Sequence, residues 1–257
     1  MKKLLTIFSL LGIILSSCEG DSAGVDGSPG SSAGNGAGQG GSTARFTIMQ
    51  DQLLAISEDG QRGDFLQSFS LQDPASPRKN NTGTPLRLGT METLYPYSDS
   101  ILLIGGPTGM QVVRVAGTNL TQWGNYRHVT ACDPVVAKDT LAYVTLRSST
   151  NNFCNNGINE LQVLDISDWQ NIHLVSSRSL NFPRGLGIYG DSVLVCDDVL
   201  RNFYYRPQDS LMEVNSLDGV QDPRDIIVLD QSVLIITDSG FKQYAIQNGG
   251  LQLLSEL

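Results

Sequence analysis

Histidine is nearly missing from this chain: among 257 residues there are only His128 and His173. Two imidazoles so far apart have no spacing that would close a zinc site. No G-x-S-x-G elbow stands between a strand and a helix, as an α/β-hydrolase nucleophile needs; the pattern occurs only inside the Gly/Ser-rich stretch, at residues 20–24 and 30–34. Long stretches with a 3.6-residue apolar period are also absent, so helices should be few. Basic residues are scarce: 17 Lys and Arg stand against 26 Asp and Glu, a net charge of −9. That balance, without a cluster of Lys or Arg, argues against a nucleic-acid or anionic-lipid partner. No cofactor or metal is expected.

The beginning of the chain is patterned. Lys2 and Lys3 precede an apolar run over residues 4–15, interrupted by Thr6, Ser9 and Gly12, and small residues Ser16 and Ser17 lead to Cys18. This is the charged, apolar and small-residue order of a secretory leader, and 12 apolar residues are too few to span a bilayer as a helix. Leu15-Ser16-Ser17-Cys18 resembles the lipobox of bacterial lipoproteins. The resemblance implies that residues 1–17 are removed and that Cys18 carries the acyl chains. Multiple chains on one residue anchor a protein stably, where one does not. Acidic Glu19 and Asp21 resemble sorting signals of lipoproteins sent to the outer membrane; the periplasmic or surface side stays open. Residues 18–44 are almost all Gly, Ser, Ala and Asp and read as a flexible tether reaching about 25–30 Å. Loss of Lys2 and Lys3 takes the net charge to −11.

Residues 45–257 form the expected folded domain, and they repeat. A polar turn containing Asp followed by an apolar run recurs as Asp51-Gln52-Leu53-Leu54, Asp99-Ser100-Ile101-Leu102, Asp139-Thr140-Leu141-Ala142, Asp191-Ser192-Val193-Leu194 and Asp230-Gln231-Ser232-Val233-Leu234. The first apolar positions are spaced by 48, 40, 52 and 40 residues. A period of about 40–50 residues is that of propeller blades. The last copy divides into four strands over 225–229, 232–237, 241–246 and 251–257, separated by Asp230-Gln231, Asp238-Ser239-Gly240 and Asn248-Gly249-Gly250. Continuous apolar second strands, such as 193–195 and 233–236, suit strands covered on both faces. The reading is an all-β fold: a β-propeller of five four-stranded blades, with a β-sandwich or open β-solenoid as the alternative.

The third unit carries a family resemblance. Leu161-Gln162-Val163-Leu164-Asp165-Ile166-Ser167-Asp168, followed by Leu174-Val175-Ser176-Ser177, resembles the LVIVD repeat of bacterial propeller-type surface lipoproteins. Pro183-Arg184-Gly185-Leu186-Gly187-Ile188 and Pro223-Arg224-Asp225-Ile226-Ile227 match its first strands. Trp169 and His173 stand where the pattern has prolines, and units 1 and 2 match weakly. The resemblance implies a fold and an envelope location but no reaction.

Cys132, Cys154 and Cys196 remain in the domain. In a propeller, the loop leading into strand one and the loop between strands two and three share a face. Cys132 and Cys154 occupy these two loops of unit 3, so a disulfide between them is the expected pairing in an exported protein. Cys196, inside an apolar strand, reads as a buried thiol. Gly185-Leu186-Gly187-Ile188-Tyr189-Gly190 and Gly36-Ala37-Gly38-Gln39-Gly40-Gly41 imitate a dinucleotide fingerprint, but neither opens a helix, which that chemistry needs. Arg62-Gly63-Asp64 is read as a turn rather than an adhesion ligand.

The remaining candidates are charges at repeated loop positions. Asp133, Arg184, Arg224 and Asp225 lead into strand one of units 3 to 5, and Asp197, Asp198 and Asp238 end strand two. A propeller brings both sets to one face around its channel, where ligands tend to bind; the bland alternative is that they cap turns or pair with one another. The expected function is a membrane-anchored, non-enzymatic binding or scaffold module, using the loop face and residues 147–159 to meet an envelope protein or glycan. The alternative is a hydrolase or lyase of envelope polymers, with a channel site built from Asp197, Arg184 and Asp225.

Overall fold

A computed structural model describes residues 41–60, 62–80, 85–129, 131, 134–149, 154–155, 157–208, 210–247 and 250–257. Among these every regular element is a strand, and the 21 strands fall into five antiparallel sheets, each wound in sequence order. The fold is a five-bladed β-propeller.

Blade 1 holds β1 (Phe46–Met49), β2 (Gln52–Ser57) and β3 (Phe65–Ser70); two short strands, β4 (Arg78–Lys79) and β5 (Leu86–Arg87), both pair with β3. Blade 2 is β6 (Thr93–Ser98) to β9 (Asn119–Arg127), with β7 (Ile101–Gly106) and β8 (Gly109–Ala116) between them. Blade 3 is β10 (Val135–Lys138), β11 (Leu141–Leu146), β12 (Glu160–Asp165) and β13 (His173–Ser179). Blade 4 is β14 (Leu186–Tyr189), β15 (Ser192–Cys196), β16 (Val199–Arg206) and β17 (Ser210–Gln221). Blade 5 is β18 (Asp225–Val228), β19 (Ser232–Thr237), β20 (Gly240–Gln247) and β21 (Gly250–Glu256).

Repeated sequence features produce repeated geometry. The two inner strands of blades 1, 3 and 4 meet in tight turns with a residue at positive φ: Gln50 at 57°, Asp139 at 52° and Gly190 at 57°. Such turns match the right-handed twist of the flanking strands. In blades 2 to 5 the outer strand pair carries a register shift, at Val112/Val113, Val163/Leu164, Asn202/Phe203 and Gln243/Tyr244. A bulge at this place increases the twist that carries each blade away from its neighbour.

The core lies between blades. Met49, Leu54 and Leu66 of blade 1 pack on Leu94, Leu102 and Ile104 of blade 2. Leu103 and Met110 of blade 2 meet Val135 and Val144 of blade 3. Tyr143 and Val163 of blade 3 meet Val193 and Phe203 of blade 4. Leu194 and Leu200 of blade 4 meet Ile226 and Ile235 of blade 5. The fifth junction differs. Phe46 on blade 1 and Phe241 on blade 5 remain 64% and 52% exposed, and no comparable buried cluster joins these blades among the described residues.

That junction is bridged by polar chain instead. Residues 41–44, expected to belong to the tether, cross from blades 1 and 2 to blades 4 and 5. The Ala44 carbonyl accepts from Leu94 N–H at 2.8 Å. Ser42, 3% exposed, donates its hydroxyl to Asp225 at 3.1 Å and accepts Leu186 N–H at 2.8 Å. Thr43 gives both its backbone N–H and its hydroxyl to the other Asp225 oxygen. Composition alone assigned these residues to a coil; the buried Asp225 carboxylate supplies partners that composition does not reveal.

Candidate functional site

The channel is lined by the first strands of all five blades, including Thr47, Tyr95, Val136, Leu186 and Ile226, and Gly41 and Ser42 also line it. The loops leading into these strands and the loops after the second strands share one face, as the repeat predicted. Electrostatic coupling shows the convergence. The Arg147 guanidinium, from the loop after β11, feels Arg184 of blade 4, Glu92 of blade 2 and Arg224 of blade 5. Burial, together with repulsion from Arg184 and Arg224, lowers the Arg147 pKa; Glu92 opposes the change.

Phe182 organises two of these cations. The Arg147 Cζ lies 5.3 Å from its ring centroid and the Arg184 Cζ lies 5.0 Å from it. Both lie within the range of cation–π attraction. The ring is 36% exposed, so the stack reaches the surface. Arg184 is held further by its Nη1, which donates to the carbonyls of Asp222 and Pro223 at 3.4 and 3.3 Å. Its Nε is buried with no hydrogen-bond partner among the described residues.

The loop carrying Phe182 and Arg184 is fastened from below by Asp197. This carboxylate is 1% exposed and accepts Asn181 N–H at 3.2 Å, Phe182 N–H at 2.5 Å and Arg201 Nε at 3.0 Å. Arg201 also binds Asp198 at 2.7 Å and Glu213 at 2.9 Å. Burial alone would lower the Arg201 pKa, but these carboxylates raise it above the ordinary arginine value. Desolvation opposes ionisation of Asp198, yet hydrogen bonds from Arg201, Asn181 and Val199 N–H hold its carboxyl below the usual range.

The predicted charges therefore divide. Arg184 is brought to the loop face beside Arg147. Arg224 forms an exposed pair with Asp238, whose carboxyl is held low by that hydrogen bond. Asp197 and Asp198 anchor a loop, and Asp225 holds the strap formed by residues 41–44 and its own neighbour's N–H, at Ile226. Asp133 and Cys132 lie outside the described residues, as does Cys18. Cys154 is buried; Cys196 is a free buried thiol, and burial raises its pKa well above the ordinary value. Sequence reasoning did not single out Phe182 or Arg147 as residues, although Arg147 begins the loop it flagged. The run Phe182-Pro183-Arg184 after a polar Asn181 was the available signal.

Residues 36–40 of one dinucleotide-like motif lie outside the described residues; the other opens no helix. Gly185 and Gly187 belong to the channel strand region, where an added Cβ would run into Asp225 and Val228 respectively, and no helix follows. Gly63 turns at φ 75°, and the Asp64 carboxylate accepts Met91 N–H at 2.9 Å. No group of three or more His, Cys, Asp or Glu side chains among the described residues could hold a metal ion.

No family model matches the chain, and no curated protein matches it by sequence. Solved structures do match. A Bacteroides uniformis protein whose name proposes a 6-phosphogluconolactonase superposes with a TM-score of 0.61 at 10% identity, covering 81% of this chain and 68% of the other. A protein of unknown function from Desulfotomaculum acetoxidans gives 0.62 at 13% identity, covering 82% and 68%. The computationally designed Ika8 protein gives 0.52 at 14% identity, covering 82% and 60%. Likeness at these identities concerns the fold alone.

Proposed function

We propose that this chain is a bacterial envelope lipoprotein, anchored through Cys18, whose propeller acts as a non-enzymatic binding or scaffold module through its loop face. The lipobox-like Leu15-Ser16-Ser17-Cys18 and the LVIVD-like third unit support the anchor and the location. The observation that carries the binding reading is how the carboxylates are used. A channel reaction built on Asp197, Arg184 and Asp225 needs a carboxylate free to exchange a proton with substrate. Asp197 instead accepts two backbone N–H groups and Arg201, and Asp225 holds the strap. Meanwhile Arg147, from the loop after β11, meets Phe182 and Arg184, from the loop before β14, on the loop face. In this reading Cys132 and Cys154 form a disulfide that closes the long loop after β11; a cross-link of about 20 residues is worth roughly 3 kcal/mol in the chain-entropy picture.

Palmitate labelling and fractionation of the full chain test the anchor: Cys18→Ser should lose the label and leave the membrane fraction. Capture from native envelopes tests the face. Arg184→Glu and Arg224→Glu are expected to lose a partner that the unaltered chain retains. A captured partner indifferent to every loop-face charge reversal would contradict the reading.

A further inference from the structure

Arg147 is the unusual cation of this molecule. Arg224 is paired with Asp238 and Arg201 with three carboxylates, whereas Arg184, beside Arg147, reaches only the backbone carbonyls of Asp222 and Pro223 among the described residues. Arg147 has no hydrogen bond or ion pair among the described residues, only the face of Phe182. It is nevertheless half-buried, and Arg184 and Arg224 repel it while Glu92 offsets part of that repulsion. Placing a second guanidinium on the same ring concentrates positive charge in a domain whose net charge is strongly negative. The N–H groups of Arg147 and the Nη2 of Arg184, whose Nη1 serves the Asp222 and Pro223 carbonyls and whose Nε is buried, have no hydrogen-bond acceptor among the described residues. Guanidinium N–H groups match the oxygens of a carboxylate or phosphate. The carboxylate anchor at Asp197 fixes Phe182 and the chain leading to Arg184, so the arrangement is held before any ligand arrives.

The geometry points to an oxyanion-binding site on the loop face, in which Arg147 and Arg184, spread on Phe182, take a carboxylate or phosphate group of an envelope ligand. This rests on the binding-module reading and gives it a ligand chemistry. A sugar acid could add contact of its C–H face with the exposed part of the Phe182 ring. A phosphate-bearing ligand would use the guanidiniums alone.

Amide NMR titration of the full chain in detergent, at constant ionic strength, tests the site with sodium glucuronate in one arm and inorganic phosphate in the other. Saturable shifts near residues 145–148 and 181–185 are expected in at least one arm, and the responding arm identifies the oxyanion. Arg147→Gln should weaken that binding at least tenfold. Arg114→Gln, which removes a similar guanidinium stacked 5.0 Å from Trp123, should leave it unchanged. Should Arg147→Gln fold poorly, Phe182→Leu serves as the second variant, with the same expected loss. No saturable shift in either arm, or equal binding by these variants and the unaltered chain, overturns the site. The two proposals fail separately: an envelope partner still captured by Arg147→Gln keeps the binding module and removes the arginine site, whereas anion binding without any captured partner does the reverse.

Discussion

Single side chains in this protein act mainly by where their charge is placed. Asp197 and Asp225 were legible as members of one face, because both stand at fixed positions relative to the repeat. Their roles were not legible, since a carboxylate that fastens backbone N–H groups and one that meets a ligand look alike in sequence. Asp197→Ala should destabilise the protein by about 2–4 kcal/mol, because two backbone donors and part of Arg201 lose a buried acceptor. Urea denaturation checks this, and a change below about 0.5 kcal/mol would contradict the anchoring role. Tyr143 offers a pH test. Burial, followed by the nearby Tyr204 and Tyr205, pushes its pKa up to about 12 from 10.0. The folded state keeps this proton after the unfolded state has lost it, so stability is full below pH 10 and falls between pH 10 and about 12. Tyrosinate absorbance should show Tyr143 ionising late, and unfolding should abolish the delay.

At the scale of elements, the turn chemistry made most of the fold readable. The strands expected at 225–229, 232–237, 241–246 and 251–257 coincide with β18 to β21 within about two residues at each end. They do so because Asp, Asn and Gly clusters punctuate the chain where hairpins need them. Blade 1 was less readable beyond β3: its outer edge consists of two two-residue strands, β4 and β5, too short to leave an alternation. The hairpin position filled by Gly190 in blade 4 is filled by Asp139 in blade 3, at φ 52°. Left-handed backbone costs a side-chain-bearing residue about 1 kcal/mol. Asp139→Gly should therefore stabilise the protein by about 0.5–1 kcal/mol, seen as a higher urea midpoint with an unchanged slope. A lower midpoint would show that the Asp139 side chain does something the turn geometry does not reveal.

For the whole molecule, the ring is uneven. Four junctions are apolar clusters, and the fifth is bridged by residues 41–44 through Asp225. Sequence periodicity could announce five similar blades, but not which junction lacks a buried cluster, because each blade has apolar residues on both faces. Local opening should start where buried apolar contacts are fewest. Hydrogen exchange is expected to be fastest in β1 and β18 among the channel strands, and Asp225→Ala should speed exchange there while leaving β10 and β11 protected. Uniform protection across all five channel strands would contradict the polar bridge as the weak point.

The central claim is that the protein meets its partner through the loop face. Photo-crosslinking in native envelopes tests it most directly, with a photoreactive phenylalanine analogue placed at position 182 or at position 139 in the turn between β10 and β11 on the opposite face. The account predicts a discrete crosslinked product from position 182 that charge reversal at Arg184 abolishes, and none from position 139. A product from position 139 alone, or a product from 182 indifferent to the reversal, would contradict it.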